Sequence, residues 1–212
     1  APKLFWELGH KTITINNNPD GMNINKNCGA IDTLQLSKKV IQQKADIGFA
    51  FDGDGDRLIV VDEKGNEVDG DKIIALFCRN FIKPKNKKNQ YDVIITVMSN
   101  IGLERYLKDK LKLKIKRTSV GDINVINQMK KSKSLLGGEQ SGHIIISKYS
   151  NSGDGILAAL KITEIISAAK TTTSKIFNLY KEFPQEKINL LYKGKLNNKK
   201  FDEIKTSLKA NK

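Results

Sequence analysis

Cysteine is nearly absent from this 212-residue chain: Cys28 and Cys78 stand far apart, neither with a second ligand at metal spacing. That excludes a disulfide framework and a thiolate zinc cluster, and points to a reduced, cytoplasmic setting. Long apolar runs are missing too. No stretch approaches the roughly 20 residues a membrane-spanning helix needs, so no membrane partner is expected. The opening Ala1-Pro2-Lys3, followed by Trp6 and Glu7, is unlike a secretory leader. Without an initiator methionine the chain reads as a piece of something longer.

Arginine is scarce as well, although 37 basic against 23 acidic residues give a net charge of +14. Such a charge invites a polyanionic partner. Yet only Arg57, Arg79, Arg105 and Arg117 are arginines, and the remaining basic charge is scattered lysine. The densest clusters, Lys83–Lys88 and Lys193–Lys200, contain Pro or Asn and no aromatic residue to stack on a base. They read as solvated linkers or helix faces, and nucleic acid is not expected as a partner. A positive surface does help to gather a small anionic ligand.

What the chain does have is Asp52-Gly53-Asp54-Gly55-Asp56-Arg57, set between the apolar runs Ile47–Phe51 and Leu58–Val61. Three carboxylates at alternate positions repel one another unless a cation sits among them. The glycines let the backbone curl so that all three aim at one point. Oxygen-only ligands select a hard divalent ion, Mg²⁺ or Ca²⁺. Arg57 adds a positive fork suited to a phosphate beside that metal. An EF-hand loop is the rival, since Asp52, Asp54, Asp56 and Glu63 fall at its first, third, fifth and twelfth positions. Its sixth position demands Gly, however, and here holds Arg57, and the flanks are β-branched rather than amphipathic.

The second informative stretch is Gly137-Gly138-Glu139-Gln140-Ser141-Gly142-His143. Its glycines permit close backbone approach to a ligand, while a carboxylate, an amide, a hydroxyl and an imidazole offer the hydrogen bonds that sugar hydroxyls need. Around these loops, strands are expected at Ile13–Ile15, Ile47–Phe51, Leu58–Asp62, Val93–Val97, Leu113–Arg117, Leu135-Leu136, Ile144–Ile146 and Ile188–Tyr192. Helices are expected over Leu34–Gln43, from an Asp71 cap through Ile82, over Asn100–Lys110, after Gly121-Asp122 through Lys131, from an Asp154 cap through Ala169, and over Lys199–Lys209. Lys83–Gln90 reads as a loop. The alternation gives an α/β fold, with helices packed over the sheets.

DGDGDR at Asp52–Arg57 together with GGEQSGH at Gly137–His143 resembles the α-D-phosphohexomutase family. The Gln of GEQSGH, with Pro19–Asn25 and Val120-Gly121-Asp122, is most similar to its glucosamine-phosphate branch; the phosphomannomutases and phosphoglucomutases are the alternative, as is a non-catalytic Ca²⁺-binding module. The resemblance runs from Ala1 to about Gln185. It implies four domains around a cleft, of which this chain would supply two consecutive mixed-sheet α/β domains and the start of another. Residues 1–70 would be the later part of the second domain, 71–178 the third, and 179–212 a linker and the start of the fourth.

It further implies that Asp52, Asp54 and Asp56 ligate Mg²⁺ with a phosphoserine oxygen, and that Arg57 orients the reacting phosphate. Glu139 and Ser141 would hold sugar hydroxyls with His143 at the same rim, and Gly121-Asp122 would read sugar orientation. The implied reaction moves a phosphoryl group from serine to a hexosamine phosphate and back through a bisphosphate, interconverting glucosamine 6-phosphate and glucosamine 1-phosphate. No serine here lies in the family's Ser-His-Asn-Pro context, and no Ser-Gly-Thr phosphate loop is present. Ile123-Asn124 follows Gly121-Asp122 where the glucosamine enzymes place Arg-Tyr. The implied partners are therefore the missing domains and the sugar phosphate, with a homodimer compatible, and the chain alone is expected to be inactive.

Overall fold

A computed structural model describes residues 1–82, 92–186, 202, 203 and 206. The chain opens with a short helix, α1 (Pro2–Glu7), whose Phe5 is buried and stacks on Phe49 at 5.5 Å between ring centroids. The predicted strand at Ile13–Ile15 does not form: these residues belong to no strand, and Ile13 is exposed. A β-branched triplet gains strand structure only where a sheet edge offers it hydrogen bonds.

Helix α2 (Leu34–Gln43) ends at Lys44 in a left-handed conformation. It lies on β1 (Ile47–Phe51), and any side-chain carbon at Gly48 would sit 2.7 Å from Val40. Strand β1 pairs antiparallel with β2 (Leu58–Asp62), which pairs antiparallel with β3 (Glu67–Val68). As the central strand, β2 is buried at every position, which is why it reads as an unbroken apolar run rather than an alternating one.

Helix α3 (Gly70–Phe81) follows at once. Its cap is Asp69, not the predicted Asp71: Asp69 has the extended backbone of a capping residue and accepts from Lys72 N. Asp71 is instead fully buried in the first turn.

The second sheet is mixed, in the order β5-β4-β6-β7, from β4 (Asp92–Thr96), β5 (Lys114–Thr118), β6 (Leu136–Gly138) and β7 (Ile144–Ile146). Strand β4 runs parallel to both neighbours, and β7 closes antiparallel on β6. Between the strands come α4 (Ile101–Arg105), which widens into a π-helical turn over Tyr106–Lys110, and α5 (Asp122–Ser132). Helices α6 (Gly155–Ala169) and α7 (Thr173–Phe177) complete the described fold. The predicted loop at Lys83–Gln90, strand at Ile188–Tyr192 and helix at Lys199–Lys209 lie outside the described residues, apart from Asp202, Glu203 and Thr206, which are helical.

The faces of β4 separate two cores. Val93 and Ile95 join a large cluster with Ile73, Phe77, Leu103, Leu107 and Ile162, while Ile94 turns to Val125, Met129 and Ile145 beneath α5. The large cluster also contains Leu58 and Val60 of β2, and α6 packs over that strand. A helix that follows the second sheet in sequence thus covers the first. The two sheets share one apolar core, and the loop between β1 and β2 is held against the loop between β6 and β7.

Candidate functional site

The acidic loop is a tight turn between two paired strands. Phe51 and Leu58 are the last register pair of β1 and β2, so the chain must reverse over residues 52–57. Gly55 takes φ +76°, and Gly55 N donates to Asp52 O at 3.2 Å. Within the turn, one carboxylate oxygen each from Asp52, Asp54 and Asp56 lies within 4.8 Å of the others. Asp54 is exposed, and Asp52 and Asp56 are half-buried.

Asp52 is fixed by Arg57 N, which donates to its Oδ1 at 3.1 Å. Arg57 Nε lies 3.6 Å from Asp52 Oδ2 and 3.9 Å from Asp56 Oδ1. Partial burial, then the hydrogen bond to Asp52 and the charges of Asp52 and Asp54, raise the Asp56 carboxyl above its ordinary value, against the opposing pull of His143. Three crowded anions beside one guanidinium make a donor set that fits a hard divalent cation.

The glycine-rich loop meets this turn directly. Leu58 N donates to Gly142 O at 3.0 Å, and Arg57 and His143 form an antiparallel bridge. Gly142 takes φ +94°, and any side-chain carbon there would strike the Leu58 carbonyl oxygen. A third segment closes the arrangement: Gly155 N, at the start of α6, donates to Gly55 O at 2.9 Å. A side-chain carbon at Gly155 would lie 2.7 Å from Arg57 O.

His143, 3% exposed, points its Nδ1 at Asp56 Oδ2, 2.9 Å away. Its Nε2 is buried without a protein partner among the described residues, and Gly153 leaves room for the ring. The imidazole thus reaches the acidic loop rather than only a shared rim. Glu139 is 6% exposed, and its Oε1 accepts from Gly121 N at 2.9 Å, so the Gly121-Asp122 turn abuts the glycine-rich loop. Asp122 is exposed in the first turn of α5, and Ser141 is exposed at the loop tip.

The candidate site residues Asp52, Asp54, Asp56, Arg57, Glu139, Ser141, His143, Gly121 and Asp122 therefore lie on three adjoining segments. Sequence reasoning missed Gly153, Gly155, Asp69 and Gly70. The signal for the first two was visible, since glycines flank Asp154, but that stretch reads simply as a helix cap. Asp69 and Gly70 stood in an evident turn, with nothing to say that they reach residue 140.

Residues 69–183 match the family model described as phosphoglucomutase/phosphomannomutase, alpha/beta/alpha domain III, and residues 1–65 match domain II of the same set. Among curated proteins, the chain is 45% identical over 192 residues to a phosphoglucosamine mutase of Azorhizobium caulinodans, covering 91% of this chain and 42% of that protein. It is likewise 45% identical over 195 residues to a phosphoglucosamine mutase of Nautilia profundicola, covering 92% of this chain and 44% of that one. The chain thus spans less than half the length of these curated relatives.

Among solved structures, a phosphoglucomutase/phosphomannomutase family protein from Burkholderia thailandensis superposes with a TM-score of 0.74 at 25% identity, covering 84% of this chain and 39% of that one. An N-acetylphosphoglucosamine mutase of Aspergillus fumigatus, solved in complex with GlcNAc-6P and magnesium, shares the fold with a TM-score of 0.58 at 21% identity, covering 79% of this chain and 42% of that one.

Proposed function

The chain belongs to the phosphoglucomutase/phosphomannomutase family, the α-D-phosphohexomutases, and from that premise we propose that it is the metal- and sugar-binding middle of a phosphoglucosamine mutase. In this reading residues 1–70, 71–178 and 179–212 belong to the second, third and fourth domains of a longer cytoplasmic enzyme. That enzyme interconverts glucosamine 6-phosphate and glucosamine 1-phosphate. Among the described residues no helix is long and apolar enough to cross a membrane.

The observation that carries the reading is the pair of backbone bonds that seats the acidic turn: Leu58 N to Gly142 O, and Gly155 N to Gly55 O. They bring the three carboxylates against the loop carrying Glu139, Ser141 and His143, an arrangement that supports a site for a sugar phosphate beside a metal. Asp52, Asp54 and Asp56 would hold Mg²⁺, the ion bound by the Aspergillus fold neighbour. When bound, the ion neutralises charge on a transferring phosphoryl group.

The chain's own residues do the positioning. Arg57, its side chain 44% exposed, keeps its fork free enough to orient a phosphate while its Nε leans on Asp52 and Asp56. Glu139, one oxygen engaged by Gly121 N, presents its carboxylate to sugar hydroxyls, with Ser141 beside it. His143 steadies Asp56, and Gly121-Asp122 borders the sugar. Exact placement supplies most of the rate in such transfers.

The test uses the full-length polypeptide that carries this segment. With Mg²⁺ it should interconvert the two glucosamine phosphates, while the 212-residue chain alone should not. Faster turnover of glucose or mannose phosphates would move the assignment to another branch of the family. Asp54→Asn, at an exposed position, should weaken Mg²⁺ binding in calorimetry, and an unchanged isotherm would remove the metal site.

A further inference from the structure

We propose that Asp69 is a positioning residue for the sugar loop, holding Gln140 so that Glu139 and Ser141 on either side of it stand where sugar hydroxyls bind. The inference rests on the reading of residues 137–143 as the sugar loop.

The two oxygens of Asp69 are divided between two tasks. Oδ1 accepts from Lys72 N at 3.1 Å and caps α3, while Oδ2 accepts from Gln140 Nε2 at 3.1 Å. The next residue grips the same target by its backbone, since Gly70 N donates to Gln140 O at 2.9 Å. No side chain is tolerated at position 70, because its first carbon would collide with the carbonyl oxygen of Glu139. Gln140 is thus held at both backbone and side chain by the start of one helix.

That helix is a fixed point. Ile73, Ile74, Ala75, Leu76 and Phe77 of α3 are all fully buried. The loop, by contrast, has few constraints of its own at the tip. Glu139 N bonds to His143 O and Gly142 N to Glu139 O, which closes the base of the turn. Residues 140 and 141 project beyond that closure, and the Asp69 carboxylate fixes how they project. A capping role alone would need only one of its oxygens. The second does nothing for the helix.

The experiment separates the two roles in the full-length enzyme. Asp69→Ser keeps one oxygen for the cap and removes the partner of Gln140. It should raise KM for the sugar phosphate about fivefold, the worth of one ordinary hydrogen bond, with kcat held within about twofold. Gln140→Ala should do the same, and the double variant should be no worse than either single one, because both remove one interaction. Asp69→Asn should restore KM, since its carbonyl oxygen still caps α3 and its amide can donate to a turned-over Gln140 side chain.

An unchanged KM in Asp69→Ser, or single-variant effects that multiply, would overturn the proposal. Hydrogen exchange provides a reading independent of catalysis: the amides of residues 139–142 should exchange faster in Asp69→Ser than in the wild type, and equal rates also overturn it. A wild-type enzyme without turnover on any hexose phosphate would instead sink the mutase reading, leaving the exchange result to judge Asp69.

Discussion

His143 and Asp56 are bonded across two loops: the imidazole Nδ1 lies 2.9 Å from the carboxylate Oδ2, and the ring that makes this contact is buried. If Asp56 ligates a cation as proposed, this outer hydrogen bond aims its carboxylate before the ion arrives. Replacing His143 by Ala should lower Mg²⁺ affinity about 10- to 100-fold, the usual loss for such partners, measured by calorimetry. His143→Asn, whose amide can stand in for Nδ1–H, should recover part of it. Equal affinity in all three proteins would show that Asp56 needs no support.

Gly142 and Gly55 both have left-handed backbones, but only one is crowded. Around Gly55 there is open space, whereas a side-chain carbon at Gly142 would meet the backbone of Leu58. Gly55→Ala should therefore lose about 1 kcal/mol of stability from backbone strain alone. Gly142→Ala should lose about 2–4 kcal/mol, as strain and displacement of the β2 backbone add. Denaturant melts of the two variants check the order, and a reversal would contradict the packing of the two loops.

Asp71 is fully buried, with Oδ2 accepting from Asn100 N at 2.6 Å and Oδ1 without a partner among the described residues. Burial, only partly offset by that bond, pushes its carboxyl up to about 7 from an ordinary 3.8. Between those values the folded chain keeps a proton that the unfolded chain has released, so stability falls as pH rises from about 4 to about 7. The loss at pH 8 should be on the order of a few kcal/mol. Asp71→Asn, which cannot ionise, should flatten this dependence in urea melts taken at pH 5 and pH 8. A wild-type stability with no fall attributable to Asp71 would refute the assignment.

The two thiols differ in access. Cys28 is partly exposed, whereas Cys78 is fully buried in α3, where burial drives its thiol well above the ordinary range. A thiol-specific reagent should modify Cys28 alone in the native chain and both residues after denaturation. Rapid native modification of Cys78 would mean that α3 opens readily.

Much of this was legible in the residues themselves. The strands at Ile47–Phe51 and Leu58–Asp62, the α2 helix and the Asp154 cap of α6 fall where their patterns place them, because apolar runs and capping side chains act locally. Ile13–Ile15 misled because strand preference without a partner does not make a strand. Asp69 and Asp71 offered equal capping chemistry, and the fold decides between them: Asp69 accepts from Lys72 N, while Asp71 is buried with Asn100 N bonded to it. The π-helical widening at Tyr106–Lys110 had no local signal. At the site, the identities of the Asp, Glu and His groups were readable, but their links were not. Gly155 to Gly55 and His143 to Asp56 join residues far apart in sequence: the first pairing follows from how α6 lies across the first sheet, the second from the bridge between Arg57 and His143.

Since Gly155 is both the first residue of α6 and the donor to Gly55, that long apolar helix acts as a splint on the acidic turn. Stiffness reaches the carboxylates from Ala158, Ala159 and Ile162, deep in the interior and remote from any ligand. On the proposed reading of the acidic turn, cation affinity would thus be tunable from the core. Cavities carved beneath the helix should then weaken Mg²⁺ binding without altering any of the three carboxylates proposed to hold it.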